Sequence, residues 1–284
     1  MRRALVFQAA LLTAALPRLM AGGPNTAQAP DYAQGAPDEA KGRAILDQLR
    51  QSGFASGSYY LTFDLREMPR RGDEQVFHGR LWGGLTAAGP VLRILLTDGA
   101  GREDRFLLQN GPQARVYRAA GGQIVPVAGA ATMAPLIDGV EITPFDLQMP
   151  YFYWPNAHLT GINRIRGRPA YAFLFRPPAG AAAARPDVAA VRAYLDTAYP
   201  EPVQTELIGP DGSVLKTLSV LDIKKIDGQW MLSSADVRTE KTRNKTRFSL
   251  TGAVLGLGLD ASVFAPERLA ENIAPPTEIE PVNP

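Results

Sequence analysis

Few residues in this 284-residue chain have the type and spacing that catalysis needs. His78 and His158 are its two histidines, and neither stands in a spaced His/carboxylate pattern of the kind that binds zinc. Both read as ordinary strand or loop positions. Ser213-Val214-Leu215-Lys216 has the spacing of a Ser-x-x-Lys acyl-transfer pair, but that chemistry puts the serine at a helix start with the lysine one turn on. Here the four residues leave a Pro210-Asp211-Gly212 turn and enter a strand, which sends Ser213 and Lys216 to opposite faces. No G-x-S-x-G elbow or G-x-x-x-x-G-K loop occurs, and Gly252, Gly256 and Gly258 do not form a phosphate-cradling turn. The chain has no cysteine, which excludes disulfides, Fe–S clusters and thiolate zinc sites. Carboxylate pairs stay open, because the fold sets their separation, and they leave a hydrolase as a third option. These residues predict a protein that is not an enzyme and holds no metal or cofactor.

Two other groups of residues suit binding. Phe145, Leu147, Met149, Tyr151, Phe152, Tyr153 and Trp154 form the densest aromatic stretch in the chain. Farther on, Lys241, Arg243, Lys245 and Arg247 alternate with Thr242, Asn244 and Thr246, so on a strand the four cations would share one face. That face has two readings. It contacts anionic lipid headgroups or an acidic partner, at about 1 kcal/mol per charge near a membrane, or it is a solvated outer face that protects a sheet edge.

The elements that must position these residues are mostly strands. Residues 38–50 read as a helix capped by Asp38, with Ile45, Leu46 and Leu49 along one side. The period then changes to two: residues 56–67 place Tyr59, Leu61, Phe63 and Leu65 on one face. Further short strands are separated by turn signals at Arg71-Gly72-Asp73, Asp98-Gly99, Asn110-Gly111-Pro112 and Gly121-Gly122, the pattern of an antiparallel meander with no room for helical crossovers. Thr143 and Pro144 open a helical turn or two before Pro150. After it, strands resume with Tyr171, Phe173 and Phe175 opposite Ala170, Ala172 and Leu174, and residues 179–187 read as a surface loop. Pro210-Asp211-Gly212 and Asp227-Gly228 mark hairpins nearer the end. So few short helices can cover only part of a long sheet's apolar face. The uncovered part is either a pocket suited to an acyl chain or an ordinary filled core, and pattern leaves both open.

At the N-terminus, Arg2 and Arg3 precede an apolar run from Ala4 to Leu16, followed by small residues with cleavage positions at Ala21 and Ala27. This is the layout of an export signal, and the run is shorter than the ~20 residues a membrane span needs. Removing residues 1–27 takes Arg2, Arg3 and Arg18 with no acid, so 30 basic residues become 27 against 28 acidic, a net of −1. Nucleic acid is therefore a poor partner. The expected organisation is a signal peptide over 1–27, a flexible lead-in over 28–37, one β domain over 38–272 and a mobile Pro- and Glu-rich tail over 273–284. Without a cysteine after the signal there is no lipid anchor, and the expected location is the periplasm.

The meander, the ITPFDLQMPYFYW segment, and the rhythm of the ending together resemble the outer-membrane lipoprotein-sorting family of LolA-like periplasmic carriers. That rhythm passes through Pro202, the turns at Asp211-Gly212 and Asp227-Gly228-Gln229-Trp230, Thr246 and a closing Phe264. The resemblance implies a mainly β fold, an open half-barrel of antiparallel strands covered by a few short α-helices around an apolar cavity. It implies a non-enzymatic carrier or chaperone that takes lipid or lipoprotein acyl chains from an inner-membrane transporter toward an outer-membrane acceptor, and the expected state is a monomer. Phe145, Leu147, Tyr151, Phe152 and Trp154 would be lid or cavity-rim residues. Tyr59, Leu61, Phe63, Phe106, Leu108, Tyr171, Phe173 and Phe175 are candidates for the inner sheet face, although strand parity leaves the two faces exchangeable. No motif marks a gating arginine; Arg80 and Arg93 are strand arginines to test. The alternative on the same fold is an envelope-stress sensor or scaffold that binds a protein through the basic face near Arg243.

Overall fold

The period-two stretch becomes strand β1 (Ser58–Met68), and it sits near the middle of one antiparallel sheet. The structure, a computed structural model, describes residues 38–52, 57–199 and 201–282; the signal peptide and lead-in expected over 1–37 lie outside the described residues. From β1 the chain meanders through β2 (Gln75–Thr86), β3 (Gly89–Thr97), β4 (Glu103–Gln109), β5 (Arg115–Ala120) and β6 (Gln123–Val127). A second meander comprises β7 (Asn156–Ile165), β8 (Arg168–Arg176), β9 (Ala190–Asp196), β10 (Pro202–Ile208), β11 (Val214–Ile226), β12 (Gln229–Thr239) and β13 (Lys245–Leu257). It returns to pair β13 with β1. The spatial order is β6-β5-β4-β3-β2-β1-β13-β12-β11-β10-β9-β8-β7, so β6 and β7 are edges and the sheet stays open.

Tight turns set the registers. Asp227-Gly228 and Gly121-Gly122 both have positive φ, as does Arg166-Gly167 between β7 and β8. Two such residues in succession make the turn whose twist matches paired strands. Glycine has a different task in β2, where Gly79 and Gly83 lie opposite Phe63 and Tyr59 of β1. A β-carbon at either position would fall inside the facing aromatic ring.

The helices gather on one face. Helix α1 (Glu39–Ser52) is capped by Asp38, whose Oδ1 accepts the Lys41 N–H at 2.9 Å, and it buries Ile45, Leu46 and Leu49. Helix α2 (Pro144–Gln148) and a 3-10 turn at Pro150–Tyr153 lie on the long connection from β6 to β7. Residues 179–187, expected to be a loop, contain a third helix, α3 (Ala179–Ala184). Its run of alanines has high helix propensity, and Pro178 sits just ahead of the first turn, where its missing N–H does no harm.

The outer face is covered too. Tyr60, Trp82, Val91, Leu95 and Leu107 are buried there with Val263 and Leu269 of the C-terminal segment. This double burial explains why β3 and β4 read as nearly continuous apolar runs. The tail over 273–284, expected to be mobile, lies against the domain as far as Val282. Strand β14 (Glu280–Pro281) pairs with Ala253 and Gly252 of β13, the Val282 N–H donates to Thr251 O at 2.9 Å, and Val282 is buried. The β12–β13 ladder ends at Ser234 and Ser249, which leaves this part of β13 free to take the tail. Gly252 keeps the approach close, since a β-carbon there would press on Ile279.

Candidate functional site

Two apolar clusters fill the space between the sheet and the 134–155 connection. In the first, Tyr59, Leu61, Phe63, Phe106 and Leu108 meet Leu136, Ile137, Val140 and Ile142, with Leu147 packed at its border. In the second, Phe173 and Phe175 meet Phe145, Tyr151 and Phe152 together with α1, and Tyr171 and Trp154 pack at the border. The inner-face set and the lid set named from sequence thus come together on one side. Tyr151 is the hub of the second cluster, with ring centroids 4.7 Å from Phe152, 5.6 Å from Phe175 and 5.7 Å from Phe145. Burial raises the pKa of its hydroxyl, opposed by a hydrogen bond from Thr205. Burial also pushes the Tyr59 hydroxyl up to about 12.

The buried side chains named in this interior are packed out of contact with solvent. Phe173, Phe175 and Leu108 are fully buried. A cavity of about 30 Å³ lies at the rim among Leu49, Arg50, Pro90, Met149 and Phe152, with room for little more than a water molecule.

What holds the connection down is polar. Thr143 caps α2 by accepting the Asp146 N–H at 3.3 Å, while Asp146 Oδ2 accepts the Thr143 N–H at 2.9 Å and its hydroxyl at 2.7 Å. The same oxygen receives Lys216 Nζ from β11, an ion pair with side-chain exposures of 10% and 8%. Gln148 Nε2 donates to the carbonyls of Gln109 and Arg115 at 2.9 and 3.0 Å, which ties α2 to β4 and β5. Arg50 of α1 donates Nε and Nη2 to the Phe152 carbonyl at 2.8 and 2.6 Å. At the start of the connection, the Glu141 N–H donates to Thr246 Oγ1 at 2.7 Å and the Glu141 carboxylate accepts from Thr239. Residues 134–155 therefore form a lid with an apolar underside and polar clasps.

Sequence reasoning missed these clasps. Lys216 was singled out only for its Ser-x-x-Lys spacing; the strand does carry it away from Ser213, whose hydroxyl donates to Asp211 at 2.6 Å in the turn. Nothing local marks Lys216 as buried. Arg80 and Arg93, the strand arginines named as gating candidates, lie on the outer face away from the lid, whereas Arg50 reaches it.

The basic run needs correction. Lys241 and Arg243 do not lie on a strand face, because residues 240–244 form the turn between β12 and β13 and Arg243 has φ 61°. Lys245 and Arg247 are on β13, but both pair with Asp236 of β12, at 3.2 and 2.7 Å. The alternation of charge crosses a hairpin, so the four cations do not form one surface. The histidines are exposed and each has an acidic neighbour, His78 with Asp64 at 2.8 Å and His158 with Glu39 at 3.0 Å. Among the described residues no group of three or more His, Cys, Asp or Glu is placed to hold a metal, and no helix is long and apolar enough to cross a membrane.

Comparison with known proteins bears on the fold. A family described as an uncharacterized protein matches residues 181–271. No curated protein sequence matches the chain. Among solved structures, a domain named for outer-membrane lipoprotein sorting from Vibrio parahaemolyticus is similar with TM-score 0.69 and 15% identity, covering 81% of this chain and 98% of that one. A DUF1329-family protein from Desulfovibrio piger gives TM-score 0.65 at 14% identity, covering 80% and 98%. A LolA-superfamily protein from Nitrosomonas europaea gives 0.60 at 12% identity, covering 79% and 97%. The open antiparallel sheet with its helical lid is accordingly a LolA-like fold.

Proposed function

We propose that this protein is a non-enzymatic periplasmic carrier that shelters acyl chains of a lipid or lipoprotein between its sheet and its lid, for transfer toward the outer membrane. One observation carries the reading: the lid is clasped by a few polar groups around an aromatic contact that an acyl chain could replace. Opening the lid separates Lys216 from Asp146 but returns both charges to water, so the ion pair itself sets only a modest part of the cost. About ten buried CH₂ groups return about 8 kcal/mol, so a long chain offsets the opening and a short one does not. The similarity of fold to lipoprotein-sorting and LolA-superfamily structures supports the same assignment.

The test is native mass spectrometry on protein recovered gently from the periplasm, with the expected result a mass shift that matches bound lipid. Repeated recovery of protein that is ligand-free, and that takes up no lipid when offered vesicles, would overturn the carrier reading. A sensor or scaffold on the same fold would need a surface other than the basic run, because Asp236 engages two of its four cations and a turn holds the others.

A further inference from the structure

The outer face of the sheet carries a groove that the lid mechanism does not use. Its volume is about 370 Å³, within the range of about 300–1,000 Å³ typical of small-molecule sites. Register builds its floor. Arg80 of β2 lies opposite Leu95 of β3, which lies opposite Arg105 of β4, and in the adjacent row Trp82 lies opposite Arg93. These residues share the outward parity, and residues 271–275 of the C-terminal segment form the wall with Ile273, Ala274 and Pro275.

The charges here are unevenly satisfied. Arg105 pairs with Glu103 at 2.5 Å and also reaches the Ala270 carbonyl and Asn272. Glu271 pairs with Arg268 at 2.7 Å. Arg93, 3% exposed, donates to the carbonyls of Val263, Arg268, Leu269 and Glu271 at 2.6–3.1 Å, so its hydrogen bonds are met by neutral groups and its charge is not. Burial, then the neighbouring Arg105, lower its pKa, and Glu271 only partly opposes them. Arg80 is exposed and has no carboxylate within ion-pair distance among the described residues. Trp82, 2% exposed, lines the same groove, and its indole Nε1–H is buried with no acceptor.

We infer that this groove binds a small amphiphilic anion, a carboxylate with a medium-length hydrocarbon chain, separately from any cargo under the lid. The carboxylate takes Arg80 and lies in the positive field of Arg93, over the Trp82 side chain. The chain lies along Leu95, Ile273, Ala274 and Pro275. A charged acceptor on an arginine makes the strong class of hydrogen bond, and the apolar wall selects against a bare anion.

Calorimetric titration with decanoate, decanol and acetate tests this, on the full protein and on Arg80→Gln, which alters an exposed side chain outside the lid. Decanoate is expected to bind about tenfold or more tighter than either decanol or acetate, and Arg80→Gln is expected to remove about tenfold of that affinity. Trp82→Phe should abolish a decanoate-induced shift in indole emission that the parent shows. Equal binding of decanol and decanoate, binding of acetate as tight as decanoate, or full decanoate affinity in Arg80→Gln would each overturn the assignment. Because a ten-carbon chain also suits the space under the lid, the groove is read from the Arg80→Gln difference and the Trp82 emission shift, both on the outer face, and a failure there leaves the carrier reading to its own mass-spectrometric test.

Discussion

At the scale of single residues, the charged groups of this protein fall into two kinds. Exposed pairs such as Arg66–Glu74, at 3.6 Å, contribute about 0–1 kcal/mol each. Groups at the base of the lid matter more, because they are partly removed from water. Glu67 lies close to Glu141, and its pKa is raised from 4.5 by burial first and by the Glu141 carboxylate second. The folded state thus holds a proton on Glu67 over a pH range where the unfolded chain has lost it. The contribution of this group to stability weakens as pH rises through that range. Glu67→Gln is therefore expected to be more stable than the parent near pH 7.5, with the difference shrinking toward pH 4. Urea midpoints at the two values measure it. Equal midpoint shifts at both would refute the electrostatic account. The local sequence gives no sign of this pair, since Glu67 and Glu141 meet only through tertiary contact.

At the scale of elements, the start of α2 was legible and its anchor was not. Thr143, Pro144 and Asp146 spell a cap, a favourable first turn and a capping box, and all three lie within four residues. Lys216 is 70 residues away and completes the same cluster from β11. Replacing it with methionine leaves Asp146 as a buried carboxylate with only Thr143 as partner, so Lys216→Met is expected to destabilise the fold by about 3–5 kcal/mol. Hydrogen exchange should quicken first at 143–149. A loss spread evenly over the sheet, with the lid no faster than β9, would mean that the pair is not a lid clasp. Strand β2 teaches the opposite lesson: Gly79, Gly83 and Gly84 weaken its local strand preference, yet the strand forms because rings from β1 and Phe264 occupy the space beside them.

At the scale of the whole molecule, the C-terminal segment behaves as part of the core. Its Val263 and Leu269 are buried against the outer face, Arg93 reaches four of its carbonyls, and Val282 enters the inner cluster. Each fully buried residue of this size contributes about 1.5–3 kcal/mol. Deletion of 261–284 is thus expected to lower unfolding free energy by at least about 3 kcal/mol, read by urea denaturation, and to expose Tyr60 and Trp82. Unchanged stability would show that the outer face does not depend on its cover. The Pro- and Glu-rich composition of 273–284 pointed to a mobile tail, and composition carries no record of the stretch of β13 that pairs with it. By itself the sequence determined the strand-by-strand meander, the capped helix at Thr143, the turns at Asp227-Gly228 and Gly121-Gly122, and the same-face sets Tyr59/Leu61/Phe63 and Phe173/Phe175. These follow from periods and turn chemistry that act within a few residues. Only the tertiary structure decided which face those sets cover, that their side chains are buried beneath the lid, that Asp236 neutralises half of the basic run, and that Arg93 holds residues 263–271 and not the lid. Those outcomes depend on partners brought together across tens to hundreds of residues, and local pattern does not encode them.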